Sequence, residues 1–397
     1  MYGEKCGADG CLTGKTRRPR RGRLSSTATA RPIADDHGMT INRSLPFDIP
    51  ERMAVTRVRH RDMAQLRKGP LTRTQPLAGF DAQYGDIVDY VVRITEEIWR
   101  DRAIGRIYET YDASCTVYTA SGVIRSVEAV VAATLASMHA YPDAVTDHVN
   151  IAWRGDETAG FYTSHLGYSG GINLGASEFG GPTGKRVMSH FIADCISRDN
   201  RIHTEWLIHD TSAVLRQLGH DLHTTARSLA AVPPADIFVV VPPTRLDGQA
   251  PRRVFDGPNT CPDGWAWHHF DTIWNLRRLD HVPFHYADDA VVHWPDGRTA
   301  TGPRAIGDLI IGLLASLPDA VMRIEHVCWS EETDGVILAV RWTLEGSTRA
   351  GGLLGDVLPG RPVVLPGASH LRFGNGHVVE EWTVFDELDV LVQAYRG

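Results

Sequence analysis

The sequence predicts an α+β protein made of two copies of one domain, and three observations carry that reading. First, GHVVEEWTVFDELDVLVQ echoes NRIHTEWLIHDTSAVLRQ, so that Trp382 and Asp386 follow Trp206 and Asp210 at one offset (382 − 206 = 386 − 210 = 176). Second, the echo continues upstream. Glu205/Glu381, Gly184/Gly360, Trp153/Trp329 and the PDAV runs at Pro142 and Pro318 keep the offset, while Trp99/Trp274 and Tyr111/Tyr286 fall one short, which a single indel explains. A repeat this long is a duplicated globular domain; solenoid units run about 20–50 residues. Third, helical patterns come first in each copy and β-rich runs come later, and such segregation means α+β.

The elements follow in order. DIVDYVVRITEEIWRDRAIGRIYETY places Ile87, Val91, Ile94 and Ile98 at helical spacing, so the first copy opens with a helix. CTVYTASG is β-rich and ends in a Gly turn; SVEAVVAATLASMHAY is a second helix that Pro142 stops. VNIAWRG, GFYTSHLGY, RVMSHFIADCIS and RIHTEWLIHD then read as a meander of antiparallel strands. The second copy repeats the order with FDTIWNLRRLDHVPFHY, AVVHWPDG, GPRAIGDLIIGLLASL and four strand-like runs. Boundaries expected from these patterns are a disordered or loosely packed extension at 1–75, a first domain at 76–230, a Pro/Gly-rich linker at 231–263 and a second domain at 264–397.

Composition excludes more than it names. A net charge of −7, 43% hydrophobic and 22% charged residues fit a soluble globular protein and give no reason to expect nucleic-acid binding. The basic run Lys15–Arg23 lies in a polar leader without an apolar signal region and reads as a disordered tail, with Met39 an alternative start. No apolar stretch of about 20 residues is present, so no membrane span is expected. Six cysteines without a CxxC pair suggest thiols in a reducing cytoplasm.

The last hairpin carries the chemistry. Gly374-Asn375-Gly376 marks a tight turn, and pivoting the strands on Asn375 makes facing residues sum to about 750. Alternation then sets His370, Trp382, Val384 and Asp386 on one face, with Glu381, Thr383 and Phe385 on the other. In the first copy the turn lies near Asp199-Asn200, and Asp194, Trp206, Asp210 and His190 share a face. Trp belongs on a buried or pocket face, so the neighbouring carboxylate should be desolvated and its pKa raised toward acid–base work. The plainer reading is that Asp386 and Asp210 cap the helices that follow.

The E-x-W-x-x-x-D signature, the Pro182-Thr-Gly-Lys185 loop, the VVHWPDG strand and a helix ending in PDAV together resemble the SnoaL-like polyketide cyclases of the nuclear transport factor 2-like superfamily, over roughly 80–225 and again 265–397. The resemblance implies two cone-shaped α+β barrels, each a curved antiparallel sheet wrapped around helices and an apolar pocket. It also implies aldol-type ring closure with an Asp as general acid/base and without metal or nucleotide. Carried over by motif, that Asp is Asp386 in the second copy and Asp210 in the first. His370 or His293 would then stabilise an enolate oxygen. The first copy departs from the pattern, with Asp194 for His370 and Tyr118 for His293, so the second copy is expected to hold the better-preserved site.

Other constellations are weaker. His203, Glu205 and His209 lie on the strand face opposite Trp206, and Pro283 spoils the helix that His281 and His285 would need to share a metal, so no metal is expected. GGINLGASEFGG matches no phosphate-binding pattern, so no nucleotide cofactor is expected. The expected function is a cofactor-free cyclase, isomerase or dehydratase acting on a small or medium apolar carbonyl compound. Asp386, His370, Asp210 and Asp194 are the catalytic candidates, and His293, Trp382, Tyr118, Trp206 and His190 the substrate-binding ones. Hydrolysis by carboxylate-activated water and non-catalytic ligand binding or assembly are the alternatives. The partners expected are a small apolar or carbonyl-containing ligand and the other copy, in an intrachain pseudo-dimer compatible with further homo-oligomerisation.

Overall fold

The computed structural model describes residues 45–58, 72–232, 257 and 259–396. The first half starts with α1 (Ile87–Thr95), whose N-cap Asp86 accepts from the backbone N–H groups of Val88 and Asp89, two donors that a helix start leaves unpaired. The helix runs on into a π-turn at Glu96–Arg100. Next come β1 (Tyr111–Thr119), β2 (Gly122–Arg125), α2 (Val127–Ala140), β3 (Val145–Asp156), β4 (Gly160–Ile172), β5 (Arg186–Arg198), β6 (Arg201–His209), α3 (Thr211–Leu218) and α4 (Leu222–Ala230). The second half has the same series: α5 (Pro262–Phe270) with a π-turn at Asp271–Asn275, β7 (Tyr286–Trp294), β8 (Arg298–Thr301), α6 (Gly302–Ser316), β9 (Val321–Glu332), β10 (Gly335–Ser347), β11 (Pro362–Gly374), β12 (His377–Phe385) and α7 (Glu387–Arg396).

The strands join in the order β2-β1-β6-β5-β4-β3-β9-β10-β11-β12-β7-β8, so the second half-sheet is the first read backwards. Each half-sheet is mixed. β1 runs parallel to β6 and β7 parallel to β12, which corrects the expectation of purely antiparallel sheets, because the strand after the first helix returns to pair with the last strand of the meander. The short strands β2 and β8 escape the sequence patterns, since four residues are too few to display alternation. The tight turns stand where expected, with positive φ at Asp199, Asn200, Asn375 and Gly376.

Among the described residues, strand pairing joins the two half-sheets edge to edge at one residue pair, Trp153 with Trp329. The Arg52 guanidinium lies between these indoles, 4.0 Å from one ring centroid and 3.5 Å from the other. Its Nη1 donates to the Trp153 carbonyl at 2.7 Å and its Nη2 to the Trp329 carbonyl. Burial pulls its pKa down to about 10. Around it, Phe47 enters the core of the second half and Val58 that of the first. Residues 45–58 are therefore a packed strap within the extension expected to be disordered or loosely packed. The rest of that extension up to residue 44, with the basic run, Cys6, Cys11 and Met39, lies outside the described residues, as does the linker at 233–256. The four cysteines of the described residues form no disulfide, and no helix among those residues is long and apolar enough to cross a membrane.

Removing the Arg52 side chain deletes two cation–π contacts and two hydrogen bonds to buried carbonyls. Arg52→Ala is expected to lower the unfolding free energy by about 2 kcal/mol, read by urea denaturation.

Candidate functional site

Strand pairing places His370 directly opposite Trp382 and Asp194 opposite Trp206, so the members of each expected pair do share a face. That face is the seam between the halves. Trp382, Val384 and Ala368 pack on Leu166, Ile192 and Ile208 of the first half. His370, fully buried, meets Ser164 Oγ at 2.8 Å through Nε2 and Asn150 Oδ1 through Nδ1, and burial pushes its pKa down to about 3. The Asp194 carboxylate accepts from Tyr162 Oη and lies 3.5 Å from Arg341, whose guanidinium covers the Trp206 ring at 3.9 Å. Tyr118 stacks on Trp206 and His293 on Trp382, while His190 lies 6.2 Å from His293. Seven candidates (Asp194, His370, Trp206, Trp382, Tyr118, His293 and His190) thus sit at or beside the seam, and none lines either of the two cavities described below. Parity identified their face correctly, but a buried Trp reports burial without reporting what covers it.

The two aspartates fall beyond the last strand residues, where alternation ends. Asp210 caps α3 through Ala213 N–H and also accepts from Ser212 Oγ and the Asp296 N–H of the second half. Asp386 accepts from Asp389 N–H at 3.1 Å and from Thr211 Oγ1 at 2.5 Å. The helix-capping reading therefore holds for both. Asp386 does more, because it also lines a cavity in the first half. Burial raises its pKa to about 6, with the Asp210 charge adding to the effect.

That cavity, about 620 Å³, lies between the helices and the helix-covered face of the first half-sheet. The matching space in the second half holds about 10 Å³, about one water. Corresponding residues explain the difference. Trp294, Phe385, Ile310 and Leu313 fill the second half, where Thr119, His209, Thr134 and Ser137 occupy the same register in the first. Trp342 lies across from Gly367, but Gly167 stands across from Phe191, so the largest ring is missing from the first half. Away from the seam, the apolar residues around the first half's helices fall mainly into two clusters, while those around the second half's fall into one. The larger of these two cavities thus lies in the first copy, although the second was expected to hold the better-preserved site.

Glu205 is a second buried carboxyl on the cavity wall, in addition to Asp386. It accepts from Tyr111 Oη at 2.9 Å, and burial raises its pKa to about 7 against the pull of that bond. His209 exposes its ring to the cavity, and the surrounding protein lowers its pKa to about 4. His165, Cys195 and, from the Gly-rich loop, Glu178 also line the cavity. In the second half Glu381 makes the equivalent bond to Tyr286 Oη at 2.5 Å but also accepts from Thr383 Oγ1 at 2.5 Å, sealed among aromatic rings. Glu205 and His209 were legible as one strand face. The missing signal was a comparison of side-chain size between the copies.

Residues 266–394 match the SnoaL-like polyketide cyclase family. The matched segment is the filled half. Among solved structures, a protein from Jannaschia sp. CCS1 assigned to the SnoaL-like polyketide cyclases is 16% identical over 34% of this chain and 92% of its own, with a TM-score of 0.31. IdmH from Streptomyces antibioticus, assigned as a polyketide cyclase, is 21% identical over 33% and 96%, with a TM-score of 0.29. AclR from Streptomyces galilaeus, assigned as a hydroxylase, is 25% identical over 32% and 79%, with a TM-score of 0.27. The comparison with curated proteins returned no match.

Glu205 holds its proton more tightly in the folded chain than at its ordinary pKa of 4.5. The resulting stabilisation is whole below that pH and is lost as pH rises through about 7. From about pH 5 to about pH 8, wild-type unfolding free energy should therefore fall by up to about 3 kcal/mol more than that of Glu205→Gln, measured by urea denaturation at each pH.

Proposed function

We propose that the chain is a cofactor-free acid–base enzyme with two SnoaL-like domains, at 76–230 and 264–397, of which the first binds and converts a small or medium apolar carbonyl compound. The reaction is of cyclase, isomerase or dehydratase type. One observation carries this reading: a buried carboxyl, Glu205, stands on the wall of a ligand-sized cavity with its pKa near neutrality. At that pKa both its forms are populated, so it can take a proton from a carbon flanked by carbonyls and return it elsewhere. Tyr111 orients the carboxylate. Neutral His209 can donate an N–H to the enolate oxygen that forms. Asp386, contributed by the second domain, is the second acid/base group. The second domain otherwise supports the first, through an intrachain pseudo-dimer whose seam uses Asp194, His370 and the paired indoles.

A ligand-holding role without chemistry is favoured by a separate observation, the hydroxyls of Thr119, Thr134, Ser137 and Ser169 on the same wall. Deuterium exchange at the central carbon of an apolar β-diketone separates the two. The enzyme reading expects exchange faster than in buffer, reduced about 100-fold or more in Glu205→Gln with folding retained. Exchange at the buffer rate, with the diketone bound, would leave the holding role. Thr134→Ile with Ser137→Leu, which installs the second domain's residues, should abolish binding in either case while preserving or raising stability in a thermal melt.

A further inference from the structure

A chain of polar groups reaches the cavity wall at His165 on β4, two strands along the same sheet face from Glu205 on β6. Arg100 Nε donates to Glu96 Oε2 at 2.6 Å, Glu96 Oε1 meets His148 Nε2 at 3.1 Å, and His148 Nδ1 meets His165 Nε2 at 2.9 Å, with the two imidazoles stacked. Glu96 and His165 are buried, the His148 side chain is fully covered, and His165 lines the cavity. Two irregularities bring the chain together. The π-turn begins at Glu96, and a β-bulge between His148 and Asn150 turns His148 toward the helices while Asn150 faces the seam.

The second half keeps both irregularities but not the chain. Its π-turn begins at Asp271, which accepts from Asn275, and its bulge lies between the partners of Arg341 and Trp342. The positions matching His148 and His165 are Ile324 and Val340, both in the apolar core. The irregularities therefore belong to the fold, and the polar chain belongs to the half with the cavity. Burying two imidazoles costs free energy that an apolar pair avoids.

We infer that His165 accepts a proton from the bound ligand through Nδ1, and that the Glu96–His148 pair takes up the resulting charge; this rests on the acid–base reading of the cavity. The tautomers follow from the bonds. Burial alone would raise the Glu96 carboxyl, but His148 and Arg100 outweigh it and hold the group below its ordinary range. The carboxylate thus accepts from His148 Nε2–H, which leaves His148 Nδ1 with a lone pair. That lone pair accepts from His165 Nε2–H, and the lone pair of His165 Nδ1 remains for the ligand. When the ligand's proton binds His165 Nδ1, the Nε2 proton passes to His148 Nδ1. His165 ends neutral, as the opposite tautomer, and the positive charge rests on His148 beside Glu96. Without this transfer His165 would be a poor acceptor, since burial and the neighbouring His148 hold its pKa well below the ordinary value. His370 stands near as a further titratable group, bonded to Ser164 and Asn150 on the other face; Arg100 and the exposed Asp147 flank the far end.

Histidine-selective nitrogen-15 NMR of the full chain, with signals assigned from His165→Gln and His148→Gln, tests the relay without a substrate. Expected at neutral pH are Nε2–H tautomers for both rings. On acidification, His148 should become imidazolium as His165 changes to the Nδ1–H tautomer in the same step. Glu96→Gln should move that step down by at least about one pH unit. An Nδ1–H tautomer at His165 at neutral pH, separate titrations of the two rings, or an unmoved step in Glu96→Gln would overturn the proposal; the wild-type tautomers decide even if that variant fails to fold. Para-nitrophenol supplies an acidic apolar probe. At a pH below its own pKa the wild-type chain should bind it as the yellow phenolate and His165→Gln as the colourless phenol, and equal ionisation in both would also overturn the relay. Loss of diketone exchange with an intact relay would instead remove the enzyme reading alone.

Discussion

A β-sheet has two faces, and in this chain both are covered. Helices take one face of each half-sheet and the other half-sheet takes the second, through Trp206, Trp382 and the Leu166–Ile192–Ile208 patch. This double burial decides where chemistry can occur. Polar groups at the seam must satisfy one another across it, which is what Asp194 with Tyr162 and Arg341, and His370 with Ser164 and Asn150, do. Once so paired they are structural. Room for a ligand lies on the helix-covered face of the first half, where side chains are small enough to leave it.

Burial also sets the electrostatics. Glu205 and Glu381 lie at one register position and each accepts from a tyrosine. The difference is access, since one carboxyl borders space for a ligand and the other is closed in by Trp342, Phe385 and their neighbours. Low dielectric raises both pKa values. A raised pKa alone is therefore no mark of function in this fold, and volume has to accompany it.

Much of the architecture was legible because its signals are local. The helical spacing of Ile87, Val91 and Ile94, the Gly374-Asn375-Gly376 turn and the Trp206/Trp382 offset each predict an element or a repeat from neighbouring residues alone. Alternation even sorted Glu381 from Trp382 correctly. What it could not supply was the identity of the layer on each side, which depends on contacts between residues such as Ser164 and His370, 206 positions apart. The relay was hidden for a related reason. A bulge shifts parity by one residue, so reading β3 as a regular strand puts His148 and Asn150 on the same face, when the chain sends them to opposite ones.

The strap formed by residues 45–58 places a limit on folding order. Arg52 bonds the carbonyls of Trp153 and Trp329, 101 and 277 residues away, and neither acceptor is in position until its own half-sheet exists and the two have met. A segment near the start of the chain is thus among the last to dock, because the entropy of closing so long a loop is repaid only by contacts made at the end. During synthesis it must wait, undocked, for the C-terminal half to emerge. A chain that stalls between the two halves would present the Trp206 face without its cover, as an edge and a surface open to another copy.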